Sequence, residues 1–362
     1  MGIQTVSQAL SNENGGFSPF GFKNRIINGA MVIDQRNAAA SLNPADQAYS
    51  IDRWKCRRSQ ASKYTIQQNA GSVTPPPGFT NYLGVTSSSA YTVLTGDYFA
   101  VQQIIEGFNT SDLALGTVNA QTVTLSFWVR SSLTGTFGGA LNNSAEVRAF
   151  GFTYTINAAN TWEYKTVTIA GDTSGTWLTT NGIGLYVNFN LGTGSTYGSA
   201  TNGSWTAGNT QFTPSGTVSV VGTNGATFYI TGVQLEKGTQ ATAFDYRPHG
   251  YELSLCQRYF EKSYNIGTVA GTSTNTNKGS YVTATANTFW RWTQTYRVSK
   301  RADATFTSYS TTGASGNVRL SNASDLAVTT EDAGENATAI YVLRNATAGD
   351  FFWWQWTASA ES

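Results

Sequence analysis

Two tryptophans stand where the pattern of their own strands calls for polar side chains. In TVTLSFWVR, residues Val123, Leu125, Phe127 and Val129 share one face, and Trp128 falls on the other with Thr122, Thr124, Ser126 and Arg130. In TWEYKTVTIAG, Trp162 and Tyr164 fall with Thr166 and Thr168, opposite Glu163, Lys165, Val167 and Ile169. Rings held outward suit carbohydrate. A sugar presents a flat C–H face bordered by hydroxyls, so an aromatic ring packs on the face while Asn, Gln, Asp and Arg fix the rim. The candidate glycan-binding residues are therefore Trp128 with Arg130, Trp162 with Tyr164, and Tyr197 with Trp205. The last pair lies in a loop segment, where binding residues concentrate. The plainer role for each ring is to cover the rim of a sandwich or to pack on a neighbouring subunit.

Catalytic chemistry finds less support. The sole histidine, His249, sits between Pro248 and Gly250, with no nucleophile singled out for a Ser-His-Asp site. A glycosidase needs only two carboxylates, but 21 acidic residues always offer some pair, so the count selects nothing. Glu106, Glu146, Asp245 and Glu252 read as surface or junction groups. The chain is expected not to be an enzyme, and no catalytic residue is assigned.

The elements that must position these groups are strands. Period-2 alternation, as in the two runs above, marks a strand with one buried face, and further strands are expected at 98–107, 146–157, 183–192 and 226–238. Turn-rich segments such as AGDTSG and GTGSTYGSATNGS separate the runs. Many short strands with polar turns and no alternating helices point to an all-β sandwich or jelly roll. No repeat with the period of a solenoid or propeller is visible. The best helix candidate spans 249–262, with Tyr251, Leu255 and Tyr259 on one stripe after Pro248. It is expected to join two domains.

Beyond it lies a second aromatic concentration. In FWRWTQTYRV, Trp290, Trp292 and Tyr296 share a face. In FFWWQW, Phe351 and Trp353 oppose Phe352, Trp354 and Trp356, so both faces of that strand need cover. One face can be the core of a small domain; the other calls for a partner, and a symmetric subunit contact supplies one. Trp290, Trp292, Tyr296, Trp354 and Trp356 are the candidates for an oligomer interface.

Bulk properties exclude some classes. Net charge is +1, and Lys55, Arg57 and Arg58 form the only short basic cluster, so counterion-release binding to nucleic acid is not expected. No apolar run reaches the length of a membrane span, and the N-terminus lacks the pattern of a secretory signal. The two cysteines, Cys56 and Cys256, belong to no metal-type cluster and read as buried free thiols, in keeping with synthesis in a reducing cytoplasm.

Four segments carry a resemblance: NRIINGAMVIDQRN (24–37), YSIDRW (49–54), GVQLEKG (232–238) and YRPHGYELSLCQRYF (246–260). Together they resemble a family of bacteriophage virion structural proteins, in which a carbohydrate-binding-module-like jelly roll precedes a small C-terminal β-sandwich domain. The resemblance implies a docking arm over 1–23, a jelly roll over 24–248, and a helical hinge plus a β domain over 249–362. It implies a fibre, spike or capsid decoration on the virion. Such a protein would be a homo-oligomer, most simply a trimer, touching other tail or capsid proteins and host surface glycans. The alternatives are a purely architectural decoration protein or a polysaccharide depolymerase. Modules of this kind often carry a structural Ca2+, held by roughly six to eight oxygens; no loop here is Asp-rich in the EF-hand manner, so no ligands are assigned and no other cofactor is expected. Pro75–Pro77 and the long 190–215 loop look like local elaborations.

Overall fold

The computed structural model describes residues 22–361, apart from 209, 283–286, 322–323 and 347. The arm expected over 1–23 lies almost wholly outside the described residues. Strands are numbered along the chain. A seven-stranded sheet runs in the order β1 (Tyr49–Ile51), β2 (Trp54–Arg58), β5 (Tyr98–Glu106), β10 (Ile183–Thr193), β7 (Gly135–Asn142), β8 (Arg148–Ile156), β11 (Trp205–Ala207). A five-stranded sheet runs β3 (Tyr64–Gln68), β4 (Leu83–Ser87), β12 (Thr227–Lys237), β6 (Val123–Ser131), β9 (Glu163–Ile169). The chain crosses repeatedly between the two layers, and the fold is an all-β jelly-roll sandwich.

Alternation decides which side chains meet between the layers. Leu125, Phe127 and Val129 of β6, with Phe228 and Ile230 of the adjacent β12, face Leu185, Val187 and Phe189 of β10 and Phe152 and Tyr154 of β8 in one apolar core. Each such side chain contributes roughly 1.5–3 kcal/mol by leaving water. The alternation expected for β9 appears directly, with Tyr164, Thr166 and Thr168 exposed and their neighbours covered.

A helix, α1 (His249–Gln257), leads into the C-terminal part. It ends five residues before the expected 262, because Phe260–Lys262 (β13) pair with the last strand, β21 (Phe351–Ser359). Its covered face also differs from the expected stripe. Tyr251 is 53% exposed, while Glu252, Cys256 and Gln257 turn inward toward the joint. β21 organises a six-stranded sheet with β13, β14 (Gly279–Val282), β16 (Thr305–Tyr309), β17 (Asn317–Leu320) and, through β17, β18 (Asp325–Ala327). A three-stranded sheet of β15 (Asn287–Thr295), β20 (Ala337–Ala346) and β19 (Thr329–Glu331) packs against it.

The tryptophan-rich strands fill the space between these two sheets. Trp290, Trp292, Trp354 and Trp356 are 4–9% exposed and share a core with Phe306, Val318, Leu320, Ile340 and Phe352. Tyr296 packs on Trp356 at 5.8 Å, and its hydroxyl meets Thr338. These five residues were expected at an oligomer interface. They are instead inside the single chain, because the three-stranded sheet provides the cover that the sequence left to a partner subunit.

The four segments that carry the resemblance converge on one place, the joint between the sandwich and the C-terminal part. The Asn28 side chain bonds the Ile33 backbone and the Asp52 carbonyl, its own carbonyl accepts from Trp54 Nε1, and its amide donates to Glu252 of α1. Gln35 donates twice to Asp52 and once to the Phe260 carbonyl. Arg53 reaches Glu361 and the Ile104 carbonyl, with its guanidinium 3.5 Å from the Tyr259 ring centre. Arg258 and the Tyr259 hydroxyl both close on Glu106. Buried ion pairs of this kind add little net stability, but losing one partner costs roughly 3–5 kcal/mol, so they fix geometry. Cys56 sits in the sandwich core and Cys256 in the joint with Ile27, Ile33 and Tyr259. Both are free and buried, and burial pushes both thiols up, Cys56 to about 12.

Candidate carbohydrate-binding surface

On the outer face of the five-stranded sheet, register sets Trp128 between Tyr164 of β9 and Thr231 of β12. The Trp128 and Tyr164 rings lie 5.4 Å apart and are tilted by 50°. Tyr164 is 44% exposed, so the pair forms an open ring surface on a rigid strand pair. Thr166 continues it by one register step and is exposed, while Ser126 across from it is buried. Arg130 stands two residues along β6, with its guanidinium 5.5 Å from the Tyr229 ring centre. Its Nε donates to the Asn160 carbonyl at 2.9 Å, which leaves the two terminal nitrogens to reach a ligand. Rings, a guanidinium and hydroxyls on one flat face are the groups that pack on a saccharide and bond its rim.

Trp162 starts from the same face but is committed elsewhere. Its Nε1 donates to the Thr74 carbonyl at 2.9 Å and its ring meets Tyr82 edge-on at 5.5 Å. Tyr82 is fully buried, donates to the Ala70 carbonyl and accepts from the Val73 amide. The 70–80 segment, including the prolines, thus folds over half of the sheet face and Trp162 clamps it. The turn that carries Trp162 is braced by Glu163, which accepts from the Asn157 and Ala158 amides and from Lys165. Partial burial would raise this carboxyl, but Lys165 and the amides hold it down at about 2.

Tyr197 and Trp205 are not brought to this surface. Tyr197 belongs to the long 190–215 segment, which roofs the outer face of the seven-stranded sheet. Its ring packs on Tyr98 at 5.0 Å and on Phe212 at 5.9 Å, with Arg57 over Phe212 at 5.0 Å. Trp205 packs edge-on against Phe150 and Trp177 and donates to the Ala170 carbonyl at 2.6 Å. Both rings hold the roof and the sandwich end together, the plainer of the roles open to them.

Under that roof lies a feature the sequence reading missed. Gln102 Nε2 donates to Asn188 Oδ1 at 2.8 Å, and Asn188 Nδ2 to Asn142 Oδ1 at 2.8 Å, a ladder of amides across β5, β10 and β7. All three are 0–1% exposed, and Gln102 Oε1 and Asn142 Nδ2 have no hydrogen-bond partner among the described residues. A buried atom left unpaired costs roughly 1–3 kcal/mol. The outward phase of IGLYVNFN, which carries Asn188 and Asn190, was the available signal. The roof encloses these amides, so they present no open surface.

The carboxylates weighed for catalysis are each engaged. Glu106 binds Arg258, Glu146 binds Arg57 and Thr210, and Asp245 and Glu252 flank Arg247. Among the described residues no group of three or more His, Cys, Asp or Glu is placed to hold a metal ion. Nor is any helix among them long and apolar enough to cross a membrane.

No protein-family model matches the chain, and no curated protein sequence does. Solved structures do. The enzymatically active domain of tailspike protein 4 of bacteriophage CBA120 is 13% identical over 61% of this chain and 22% of that one, with a TM-score of 0.33. TmCBM61 in complex with β-1,4-galactotriose is 9% identical over 60% of this chain and 99% of that one, with a TM-score of 0.31. A family 11 carbohydrate-binding module of a cellulosomal cellulase of Clostridium thermocellum is 13% identical over 57% of this chain and 99% of that one, with a TM-score of 0.27. The chain spans about a fifth of the tailspike domain and nearly all of each module. At such identities the likeness concerns the fold alone.

Proposed function

We propose that this chain is a non-enzymatic adhesion protein of a bacteriophage particle, which attaches to host surface glycans through the Trp128–Tyr164 pair and Arg130. The observation that carries the reading is the open ring pair, 5.4 Å apart on a two-strand frame anchored by the fully buried Leu125, Phe127 and Val129 of β6. Such a frame loses little freedom on binding, and preorganisation favours affinity. A non-enzymatic role is favoured by the ion pairs that occupy the candidate carboxylates. The experiment is adsorption of the purified chain to host cells and a glycan array, compared with a Trp128→Ala/Tyr164→Ala variant. Loss of adsorption without loss of fold supports the reading. Unchanged adsorption, or release of reducing ends from host polysaccharide by the protein, ends it.

An architectural role, as a homo-oligomeric decoration, is favoured by a different surface. On the outer face of β15 and β20, Phe289 is 44% and Leu343 71% exposed, directly opposite one another, with Tyr341 5.3 Å from Phe289. Exposed apolar clusters of this kind mark contact surfaces. This face, in place of the buried tryptophans, is where we put the subunit contact of a homo-oligomer, with a trimer as the simplest closed form for a fibre.

A further inference from the structure

We propose that a cavity at the joint is a second binding site, shaped for a single neutral pyranose ring. The cavity has a volume of about 250 Å3 and opens between the turn at Phe79, the segment from Phe244 to Arg247, and the first turn of α1 at Glu252. One wall is apolar. Phe79, Phe244 and Tyr246 form a triangle with ring centres 5.1, 5.5 and 4.9 Å apart. Two of the three contacts are edge-on, which fixes the rings against one another. Tyr246 is 58% exposed and sets its ring and hydroxyl at the mouth.

The other wall is polar, and its hydrogen-bonding capacity is unevenly used. Arg247 reaches the Asn24 and Ile26 carbonyls, Glu252 at 3.3 Å and Asp245 at 3.6 Å. Glu252 is held by that guanidinium and by the Asn28 amide. Among the described residues Asp245 is engaged through Oδ2 alone, by the Asn24 amide at 3.4 Å and by Arg247. Its side chain is 32% exposed, so Oδ1 is left to accept from a guest.

This inventory selects the ligand. The guest must lay an apolar face on the rings and offer donors to Asp245 and Tyr246. Arg247 pairs with both carboxylates, so a cation gains little over a neutral molecule. Pockets for drug-sized ligands run to roughly 300–1,000 Å3, and this one falls just short, with room for one ring and not a chain. A pyranose, with a C–H face and adjacent hydroxyls, meets all three conditions. The ligand class rests on the glycan reading above; the place and the residues do not.

The test is saturation-transfer NMR on the full chain with glucose, galactose, mannose and N-acetylglucosamine as probes. At least one sugar should receive saturation from a chain whose outer-face pair has been removed (Trp128→Ala/Tyr164→Ala), with affinity about tenfold weaker when Tyr246→Ala or Asp245→Asn is added to that background. Asp245→Asn is isosteric and Tyr246 is largely exposed, so both variants should fold, which thermal unfolding verifies. No transfer from any of the four sugars overturns the proposal, as does transfer that survives both joint variants. Binding of free arginine in place of sugar also overturns it. Host-polysaccharide adsorption, read separately on the Trp128 variant, fails or stands without bearing on the joint.

Discussion

The Trp128–Tyr164 pair and the tryptophan cluster of the C-terminal part are built from the same materials and end in opposite environments. Both place large rings on antiparallel strands, two residues apart or directly across a register. Around β21 a second sheet closes over the rings, and Trp354 and Trp356 are 6% and 4% exposed. Over β6 and β9 the covering segment stops at Trp162, and the next register step is left open. Ring density on a strand therefore does not tell a surface from a core. The presence of a second layer over the same face does.

The largest effect expected from this contrast is on stability. Trp354→Ala should lower the stability of the C-terminal part by roughly 3–5 kcal/mol, the usual result of emptying a buried aromatic site. Trp128→Ala, made on an open face, should leave the melting temperature nearly unchanged. Thermal unfolding followed by tryptophan fluorescence compares the two, and equal losses would erase the distinction.

Glycan adsorption should show the reverse order. Removing both rings of the open pair is expected to weaken adsorption about thirtyfold, the effect of ~2 kcal/mol at a central contact. Trp162→Phe should change it far less, because the Trp162 indole is tied to Thr74. A third variant, Leu343→Ser, should shift the oligomer toward monomer by sedimentation without altering the fold. An unchanged oligomer would remove the β15–β20 face as the subunit contact.

The smallest effect concerns pH at the joint. Burial raises the Asp52 carboxyl to about 6, against the pull of Arg36 and the Gln35 hydrogen bonds. A carboxyl raised in the folded state favours folding most when protonated. Its contribution is present below the ordinary carboxylate range and is lost as pH rises through about 6. The wild type should therefore gain stability relative to Asp52→Asn as pH falls from 7 to 5, measured as the difference in melting temperature. A difference that stays flat across that window would assign the joint's pH response to other groups.

Much of the sandwich could be read from the chain, because alternation is local. Val123 to Arg130 and Trp162 to Ile169 declare their two faces without reference to anything else; the apolar face of each turns to the core as expected, although Thr124 and Ser126 on the other face of β6 are covered too. The β domain was legible in kind. The covering of its rings was not, since the three-stranded sheet that shields Trp290 and Trp354 is assembled from segments far apart in sequence. The same limit explains Tyr197, whose segment folds back over the sheet, Trp205, which lands on the edge strand β11, and the amide ladder of Gln102, Asn188 and Asn142, whose members come from three strands. The α1 stripe failed for a related reason. Tertiary contacts at the joint recruit Glu252 and Cys256 inward, and the pairing of β13 with β21 ends the helix early. The resemblance motifs, finally, were legible as a set but silent about their task, which is to lock the joint and to line the cavity beside it.

The most direct measurement is the equilibrium binding of host surface polysaccharide to the wild type and to Trp128→Ala/Tyr164→Ala, with thermal unfolding of both. The account predicts strong loss of binding at an unchanged melting temperature. Full binding by the double variant would contradict it.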